Sequence, residues 1–599
     1  MSRDANTLDF ELIKLKYMQC NRNEELSMQK GKRLLGFFFI VITLVYPFSG
    51  GAEGNSAVVG KNGMVVSVDE YASQAGIEVL KKGGNAVDAA VAVGFALAVT
   101  FPSAGNIGGG GFMVIRIPDT EEAVALDFRE MAPGKATADM YLDDQGNYVE
   151  DRSYFGYLAV GVPGTVKGFE LAMKKYGNLQ WKDVIQPAIE LAENGFRLNK
   201  RRANSFNMLN KMFKKGTKEF FRIFSKPDGS EFKKGDIFVQ KDLARSLSLI
   251  AEHGSKAFYQ GPIAELIAQD MKKHGGLITK EDLGKYEAFV RKPITGTYHG
   301  YQVISMPPPS SGGTILIEML NILEGYNLGR MDRYAPETLH LIAETMKFAY
   351  FDRAKHMGDS DFNEIPVQFL TSKNYAEDIR KKIDRKKAIP SIRMGKEILT
   401  REKAKETTHF SIIDKKGIAV ATTYTLNGGY GSGVVAKGTG ILLNNEMADF
   451  NMKPGYTDDR GLIGTSPNLI EPHKRMLSSM TPTLILKDGN VYMITGSPGG
   501  RTIINTVLNV IINVIDFNMQ IQDAVDAPRM DHEWMPDVLR LERRGIPEEL
   551  IESLIAKGHK IKTSSPWRQG DAHSILIDPK TGLYFGAADR RSRGSAIGY

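Results

Sequence analysis

The feature that most constrains this chain is an abrupt change of composition after residue 406. From Lys382 to Glu406 the sequence is densely charged and poor in aromatic residues, a composition that cannot bury enough apolar surface to form a core. From Thr407 to Asp414 it becomes β-branched and apolar, which is typical of a buried strand. The chain must therefore join an exposed segment directly to the start of a core strand.

The strand from Thr407 opens a predicted hairpin. Lys415–Gly417 predicts a three-residue turn with glycine where positive φ is needed, and Ile418 to Thr425 is the return strand. If Asp414 pairs with Ile418, Thr407 faces Thr425 with Cβ atoms about 4.5–5.5 Å apart. A two-residue turn would shift the register by one and break this pairing. Threonines also populate strands for steric reasons, so the pair alone does not establish catalysis.

Helices and glycines dominate the region before the charged segment. A helix is expected from about Glu70 to Lys82, ended by Gly83–Asn85. Ala86–Thr100 is apolar nearly all round, which predicts a buried helix. Gly105–Gly111 lacks the G-x-G-x-x-G spacing and precedes a strand, Phe112–Ile117, so it does not indicate dinucleotide binding. Close packing of backbone against backbone is the better interpretation of this run.

Two donor-rich loops follow the hairpin. Met476–Thr483 contains paired serines that could hold a carboxylate, or could be an ordinary turn; it lacks the lysine of the S-x-x-K motif, which argues against a penicillin-binding type of acyltransferase. Gly496–Arg501 follows the predicted strand Val491–Thr495. Glycine N–H groups that open a helix can stabilise an oxyanion, although the same pattern also forms simple strand-to-helix turns.

The N-terminus predicts export. A basic cluster at residues 30–33 precedes an apolar run, Leu34–Phe48, and small residues follow, as in a secretory signal peptide. The run is shorter than the roughly 20 residues that span a bilayer, so an uncleaved membrane anchor is the alternative. We expect a signal at about residues 28–51 and a periplasmic or secreted protein; Met28, just before the basic cluster, is a candidate for the true start.

Composition excludes several partners. The net charge of +7 is spread along the chain, and the densest basic stretch, Asn199–Arg222, belongs to no recognisable nucleic-acid module. Nucleic-acid binding is therefore not expected. The only cysteine, Cys20, precedes the apolar run, so the exported chain has neither disulfides nor thiolate metal sites. No metal-ligand spacing is apparent, and neither a metal nor another cofactor is expected.

Taken together, these segments resemble the gamma-glutamyltransferase (glutathione hydrolase) family of N-terminal-nucleophile hydrolases. The resemblance covers nearly everything from Val65 to Tyr599. The segments that carry it, in chain order, are Gly105–Phe112, Asp127–Glu130, Val162–Thr165, Thr407–Ser411, Leu443–Met447, Leu477–Thr481 and Gly496–Gly500. It implies an α+β fold, a four-layer αββα sandwich. It also implies an N-terminal extension and signal (1–51), a large subunit (52–406) and a small catalytic subunit (407–599) that intertwine as a heterodimer.

The resemblance also implies roles for individual residues. Thr407 attacks the carbonyl of Glu406 to split the proenzyme, and its freed α-amine, with a pKa near 7.7–8.0, becomes the base. Its hydroxyl then forms an acyl-enzyme with a γ-glutamyl donor such as glutathione, and water, an amino acid or a dipeptide accepts the group. Thr425 positions the nucleophile.

The remaining implied site residues bind the donor or stabilise charge. Arg129 holds the donor α-carboxylate with Ser478 and Ser479. The α-ammonium is bound by Asn427, Glu446 and Asp449, and the oxyanion by the amides of Gly499 and Gly500. His409 is expected to be a strand histidine packed in the core.

One loop departs from the family pattern. Asn451–Gly464 aligns with a loop that covers the site in many bacterial members, and Arg460 stands where they place an aromatic gate, for which Tyr456 could substitute. This leaves the balance between hydrolysis and transfer open. Two alternatives remain: an acylase acting on β-lactam side chains or poly-γ-glutamate, and an unprocessed, non-catalytic γ-glutamyl-binding or surface protein.

Overall fold

A computed structural model describes residues 56–212, 216–395, 407–457, 463–564, 569–592 and 594–599. The predicted signal segment, Cys20, Glu406 and Arg460 lie outside these ranges. Within them, no helix combines the length and the apolar character needed to cross a bilayer.

The strands are short and extend along the whole described chain. In order they are β1 (Val58–Gly60), β2 (Gly63–Ser67), β3 (Gly110–Ile117), β4 (Glu122–Phe128), β5 (Phe196–Arg197), β6 (Ile237–Phe238), β7 (Phe289–Arg291), β8 (Ile294–Tyr298), β9 (Tyr301–Ser305), β10 (Thr407–Asp414), β11 (Ala419–Thr425), β12 (Val434–Val435), β13 (Leu442–Leu443), β14 (Thr483–Lys487), β15 (Asn490–Thr495), β16 (Met530–Asp531), β17 (Leu539–Glu542), β18 (Ile561–Ser564), β19 (His573–Ile577), β20 (Tyr584–Ala588) and β21 (Ser595–Gly598).

Most of these strands form two seven-stranded sheets. One has the order β21-β2-β10-β11-β3-β4-β7 and the other β1-β20-β19-β15-β14-β9-β8. Strand β10 lies inside its sheet, between β2 and β11, and pairs antiparallel with both. Each sheet thus combines strands that precede residue 407 with strands that follow it.

The two sheets pack face to face through an apolar layer. Its members alternate along the strands, which is how a sheet presents one face to a core. They include Met64 and Val66 from β2, Phe112 and Val114 from β3, Leu484 and Leu486 from β14, and Ile494 from β15.

Helices cover the outer face of each sheet. The helices are Glu70–Lys81, Ala86–Thr100, Glu150–Tyr154, Thr165–Tyr176, Trp181–Asn194, Lys200–Met212, Lys218–Phe224, Lys241–His253, Lys256–Tyr259, Pro262–His274, Lys280–Lys285, Gly312–Glu324, Pro336–His356, Val367–Leu370, Lys373–Lys382, Ile503–Ile515, Ile521–Asp526 and Glu548–Ala556. Except for Glu150–Tyr154, those up to residue 285 contribute to a core against the sheet of β10, and those from 312 onward contribute to a core against the other sheet. The predicted four-layer αββα sandwich is confirmed.

Helix Ala86–Thr100 shows how local sequence produces an element. All fifteen of its residues are buried, as its uniformly apolar composition predicts. Asn85 and Asp88 form a reciprocal capping box at its start, which satisfies N–H groups that a helix terminus leaves without partners. The preceding helix ends at Lys81, and Gly83 takes a φ of 96°, so the predicted glycine stop is also confirmed.

The glycine run packs against other backbone, as predicted. A Cβ on Gly109 would lie 2.1 Å from the carbonyl oxygen of Thr425, and one on Gly108 would lie 2.1 Å from that of Leu442. No larger residue fits at these distances. The run therefore allows the chain before β3 to lie directly against the end of β11.

Candidate active site

Thr407 and Thr425 form the centre of the candidate site. They are directly paired in the β10–β11 ladder, so the predicted hairpin register is confirmed. The Oγ1 hydroxyl of Thr407 donates to Oγ1 of Thr425 over 3.3 Å. Both side chains are buried, with 7% and 2% of their surface exposed.

Asn106 holds the end of β11 in place. Its Nδ2 donates to the carbonyl oxygen of Thr425 over 2.8 Å. Its Oδ1 accepts from the amide of Gly109 at 2.9 Å and from Oγ1 of Thr165 at 2.8 Å. Asn106 is not among the predicted site residues; a single amide inside a glycine run is the signal that could have found it.

The two threonines open onto a cavity of about 350 Å³, a size that suits a small-molecule substrate. Apart from Glu406, which lies outside the described ranges, every predicted site residue except Gly499 lines it. The lining members are Arg129, Thr407, Thr425, Asn427, Glu446, Asp449, Ser478, Ser479 and Gly500. The structure therefore brings together residues from five separate stretches of the sequence.

Arg129 is fully buried and surrounded by acceptors. Its Nη1 pairs closely with Glu446, and its Nη2 donates to Oδ2 of Asp449 at 2.6 Å. Backbone carbonyls of Met476 and Leu477 accept from Nε and Nη2 at 3.2 Å each. The predicted carboxylate-binding arginine thus pairs with the predicted ammonium-binding carboxylates. A zwitterionic amino acid carries both complementary charges and can bind between them.

Glu130 is a third acidic side chain beside Arg129. It is fully buried, and burial, followed by the nearby Glu446 carboxylate, raises its pKa well above the ordinary value. Burial thus favours the protonated form of Glu130, whose Oε2 lies 3.4 Å from Nη1 of Arg129. Arg129 then faces two carboxylates, Glu446 and Asp449.

Arg353 donates hydrogen bonds to Ser479 and to Ser311, which lies against the serine pair. Its Nη2 donates to Oγ of Ser479 at 2.7 Å, and its Nε donates to Oγ of Ser311 at 2.9 Å. Ser311 in turn donates to the carbonyl oxygen of Ser478 at 2.7 Å. Burial, and then the nearby Arg501, lowers the pKa of Arg353 to about 10, so it is cationic at neutral pH.

The charge of Arg353 favours an anionic group beside Ser478 and Ser479. Arg353 also lines the cavity, yet it is not among the predicted site residues. The available signal is an arginine in helix Pro336–His356, most of whose residues are buried.

Asn427 offers the cavity an acceptor. Its amide donates to Oγ1 of Thr425 at 2.8 Å, and its Nδ2 donates to the carbonyl oxygen of Asn445 at 3.0 Å. Within the part of the chain that the structure describes, its buried Oδ1 accepts no hydrogen bond. Because a buried acceptor without a partner is costly, this atom suits a cationic donor such as an ammonium group.

Gly499 and Gly500 form the turn into helix Ile503–Ile515. Their φ values are 135° and 59°, a region that favours glycine. A Cβ on Gly499 would lie 2.5 Å from Oγ1 of Thr502. The turn opens a helical segment, so its amides lie at the positive end of a helix dipole.

His409 belongs to the core. It is fully buried, with Nδ1 2.8 Å from Oγ1 of Thr423 and Nε2 3.1 Å from Oγ of Ser411. Burial, and then the nearby His573, lowers its pKa well below the ordinary value, so the neutral form is favoured. It does not line the cavity, which confirms the expectation of a packed strand histidine.

Tyr456 lies at the rim of the cavity. It lines the cavity with Lys453 and is 42% exposed. The Nζ of Lys453 lies 4.8 Å from the centre of its ring. This position allows Tyr456 to act as the predicted gate, while Arg460 lies outside the described residues.

Comparisons with known proteins agree with this geometry. A family model described as gamma-glutamyltranspeptidase matches residues 72–599. The glutathione hydrolase proenzyme of Escherichia coli (strain K12) is 50% identical over 550 residues, 91% of this chain and 93% of that protein.

Two solved structures are also similar. The cephalosporin acylase from Bacillus halodurans has a TM-score of 0.80 at 29% identity and covers 94% of this chain and 99% of its own. A Helicobacter pylori gamma-glutamyltranspeptidase chain has a TM-score of 0.53 at 51% identity and covers 54% of this chain and 92% of its own.

Proposed function

The chain belongs to the gamma-glutamyltranspeptidase family, and we propose that it is a glutathione hydrolase and γ-glutamyltransferase that cuts itself between Glu406 and Thr407. The single observation that carries the proposal is the position of Thr407. It begins a central strand, faces Thr425 at 3.3 Å, and lines a cavity that also contains a buried Arg129–carboxylate cluster.

Self-cleavage begins at the hydroxyl of Thr407. Its oxygen attacks the carbonyl carbon of Glu406, the amide C–N bond breaks, the hydroxyl proton passes to the departing nitrogen, and the chain is joined for a time through an ester. Water hydrolyses this ester. The products are a carboxylate at Glu406 and a free α-amine at Thr407, so one residue then carries both a nucleophile and a base.

The same hydroxyl attacks the γ-carbonyl carbon of the donor. The α-amine takes the hydroxyl proton, for which a pKa near 7.7–8.0 is well matched. In this proposal the amides of Gly499 and Gly500 stabilise the negative oxygen that develops. The amine then passes the proton to the departing amine. A γ-glutamyl ester on Thr407 remains, and water or an amino-acid or peptide amine removes it.

Donor recognition exchanges one set of ion pairs for another. The α-carboxylate of the donor takes Arg129, Ser478 and Ser479, and its α-ammonium takes Glu446, Asp449 and the Oδ1 of Asn427. Each charge of the donor is therefore bound by groups of opposite charge, and without the donor these groups pair with each other. This matching supports a γ-glutamyl donor with an intact α-carbon centre.

Changing the nucleophile tests the proposal. Thr407→Ala should remain a single chain without activity on a γ-glutamyl anilide, because no hydroxyl is left to attack. Thr407→Ser is the matched control; it keeps the hydroxyl and should still give two bands on a denaturing gel, though more slowly. Two bands from Thr407→Ala would refute the assignment.

Subunit bounds and export follow from the same proposal. The mature enzyme is a heterodimer of a large chain starting near residue 52 and ending at Glu406, and a small chain of residues 407–599. The signal at about residues 28–51 directs it to the periplasm or the cell exterior. N-terminal sequencing of the purified enzyme tests both, since one sequence must begin at Thr407 and the other after the signal.

The second candidate is an acylase, which the similarity to the cephalosporin acylase favours. A glutaryl group has no α-ammonium and would leave Glu446 and Asp449 without a substrate partner. Parallel assays with γ-glutamyl and glutaryl anilides separate the two functions. Faster release from the glutaryl substrate would support the acylase.

A further inference from the structure

A second polar cluster lies away from the cavity and consists of His340, Glu344 and His559. All three are buried, with 0%, 0% and 5% exposure. Their ligand atoms all lie within 4.8 Å of one another. His340 and Glu344 are four residues apart on helix Pro336–His356, which places them on one face, and His559 follows helix Glu548–Ala556.

A backbone contact orients the ring of His340. Its Nε2 lies 2.7 Å from the carbonyl oxygen of Asp384. Because a carbonyl can only accept, Nε2 carries the proton and the lone pair of the neutral ring is on Nδ1. This Nδ1 lies 2.8 Å from Nε2 of His559. A ring that donates one N–H to a carbonyl and turns its other nitrogen inward has the orientation typical of a metal-binding histidine.

Charged side chains lie beside the cluster. Lys347 lies 2.7 Å from Oε1 of Glu344 and 3.8 Å from Oδ1 of Asp537. One ammonium thus serves two carboxylates. The buried Glu344 also accepts from the amide of Ile389 at 3.1 Å, whereas the side chain of Asp537 is 24% exposed and lies 3.3 Å from Nε2 of His532.

We propose that Nδ1 of His340, Nε2 of His559 and the carboxylate of Glu344 bind a divalent transition metal of the zinc type, with water as fourth ligand. Two imidazoles and one carboxylate suit Zn²⁺ in both charge and softness. In a tetrahedral site with the usual bond lengths, ligand atoms are about 3.3 Å apart. The two histidine nitrogens must therefore separate by about half an ångström, and the Nε2 proton of His559 must move to its Nδ1 or be released.

The position of the site suggests its role. His340 and Glu344 precede residue 407, whereas His559 follows it. If the chain is cut as proposed above, the metal joins the two subunits where the carbonyl oxygen of Asp384 contacts His340. This role rests on the proposed function, but the binding of the metal does not.

Spacing in the sequence does not reveal this site. His340 and His559 are 219 positions apart, so the lack of a short metal-binding motif in the sequence does not exclude a metal site formed by these residues. The cluster forms only when helix Pro336–His356 and the turn after helix Glu548–Ala556 pack together.

The experiment uses the whole purified enzyme, stripped with a chelator and dialysed. Zn²⁺ is titrated by calorimetry, and Co²⁺ is added separately to follow its visible absorption. We expect one equivalent to bind tightly, a tetrahedral Co²⁺ spectrum, and a higher melting temperature with Zn²⁺. His340→Gln and His559→Gln should weaken Zn²⁺ binding by about 100-fold or more, while exposed His253→Gln should bind as the unchanged protein does.

Wild-type protein that binds no zinc, or His340→Gln and His559→Gln variants that bind as tightly as wild type, would overturn the proposal. If a glutamine variant does not fold, the Co²⁺ spectrum of the wild type decides, because an octahedral spectrum excludes the proposed ligand set. Hydrolysis of a γ-glutamyl anilide is measured in parallel. A protein that is active but binds no zinc would refute only the metal site, and one that binds zinc but is inactive would refute only the proposed function.

Discussion

Arg129→Lys offers the sharpest test of donor recognition. The guanidinium contacts Glu446 and Asp449 through separate nitrogens, a geometry that one ammonium group cannot reproduce. Lysine keeps the positive charge but loses one of two charge-assisted hydrogen bonds to the donor carboxylate. Such a bond contributes about 1.5–3 kcal/mol. At about 1.4 kcal/mol per tenfold change, KM for the donor should rise roughly ten- to hundredfold.

Self-cleavage of Arg129→Lys should be nearly unchanged, because the role proposed for Arg129 is to bind the donor and not to act on the peptide bond before Thr407. The assay combines a denaturing gel with KM and kcat for a γ-glutamyl anilide. Arg529→Lys is the matched control: Arg529 is equally buried and pairs with Asp589 at 2.6 Å, but it does not line the cavity. It should lower the melting temperature and leave KM unchanged. An uncut Arg129→Lys protein, or one with unchanged KM, would refute the reasoning.

Three further predictions concern the nucleophile, the turn and a buried acid pair. Thr425→Val removes the hydroxyl 3.3 Å from Oγ1 of Thr407 with little change of volume. The rate of self-cleavage, followed on a denaturing gel, and kcat for a γ-glutamyl anilide should each fall by about 100-fold. Normal rates would show that the hydroxyl pair is only structural. In Gly500→Ala the alanine must adopt a φ of 59°, at a cost of about 1–2 kcal/mol. The resulting displacement of its backbone amide should lower kcat by about 100- to 1000-fold with little effect on KM. An effect on KM alone would contradict the oxyanion role. Burial, and then the nearby Asp352, raises the pKa of Glu318 well above its ordinary value, so the stability that protonated Glu318 contributes is present below the unfolded pKa and is lost as pH rises toward the folded pKa. The melting temperature of Glu318→Gln should therefore increase relative to that of the wild type as pH increases. A difference in melting temperature that does not vary with pH would exclude this titration.

The free protein holds its recognition groups in pairs. Arg129, Glu446 and Asp449 form a buried ion cluster, and separating buried partners without replacement is strongly unfavourable. A donor that supplies only a carboxylate, or only an ammonium group, leaves one side of this cluster unpaired. The geometry therefore favours ligands that carry both charges on one carbon.

Much of the local structure could be predicted because it depends on neighbouring residues. The turn at Lys415–Gly417 sets the register that brings Thr407 opposite Thr425. The uniformly apolar stretch Ala86–Thr100 could only be a buried helix. Family resemblance then supplied the proposed roles of residues such as Arg129, which composition and spacing alone do not give.

Other features could not be predicted because they join distant parts of the chain. Asn106 has no recognisable motif, and its contact with Thr425 spans 319 positions. Arg353 reaches Ser479 across 126 positions. Which side chains meet over such separations depends on how the layers stack, and no local periodicity encodes that.

The sequence by itself determined that a buried strand begins at Thr407 and pairs with the strand that ends at Thr425, since both follow from a change of composition and from turn chemistry over a few residues. The tertiary structure alone decided that Arg129 lies against Glu446 and Asp449, 317 and 320 positions away, and that His340 meets His559. The physical reason is that strand and turn preferences depend on neighbouring residues. The partners of a buried charge depend instead on how the sheets and helices pack.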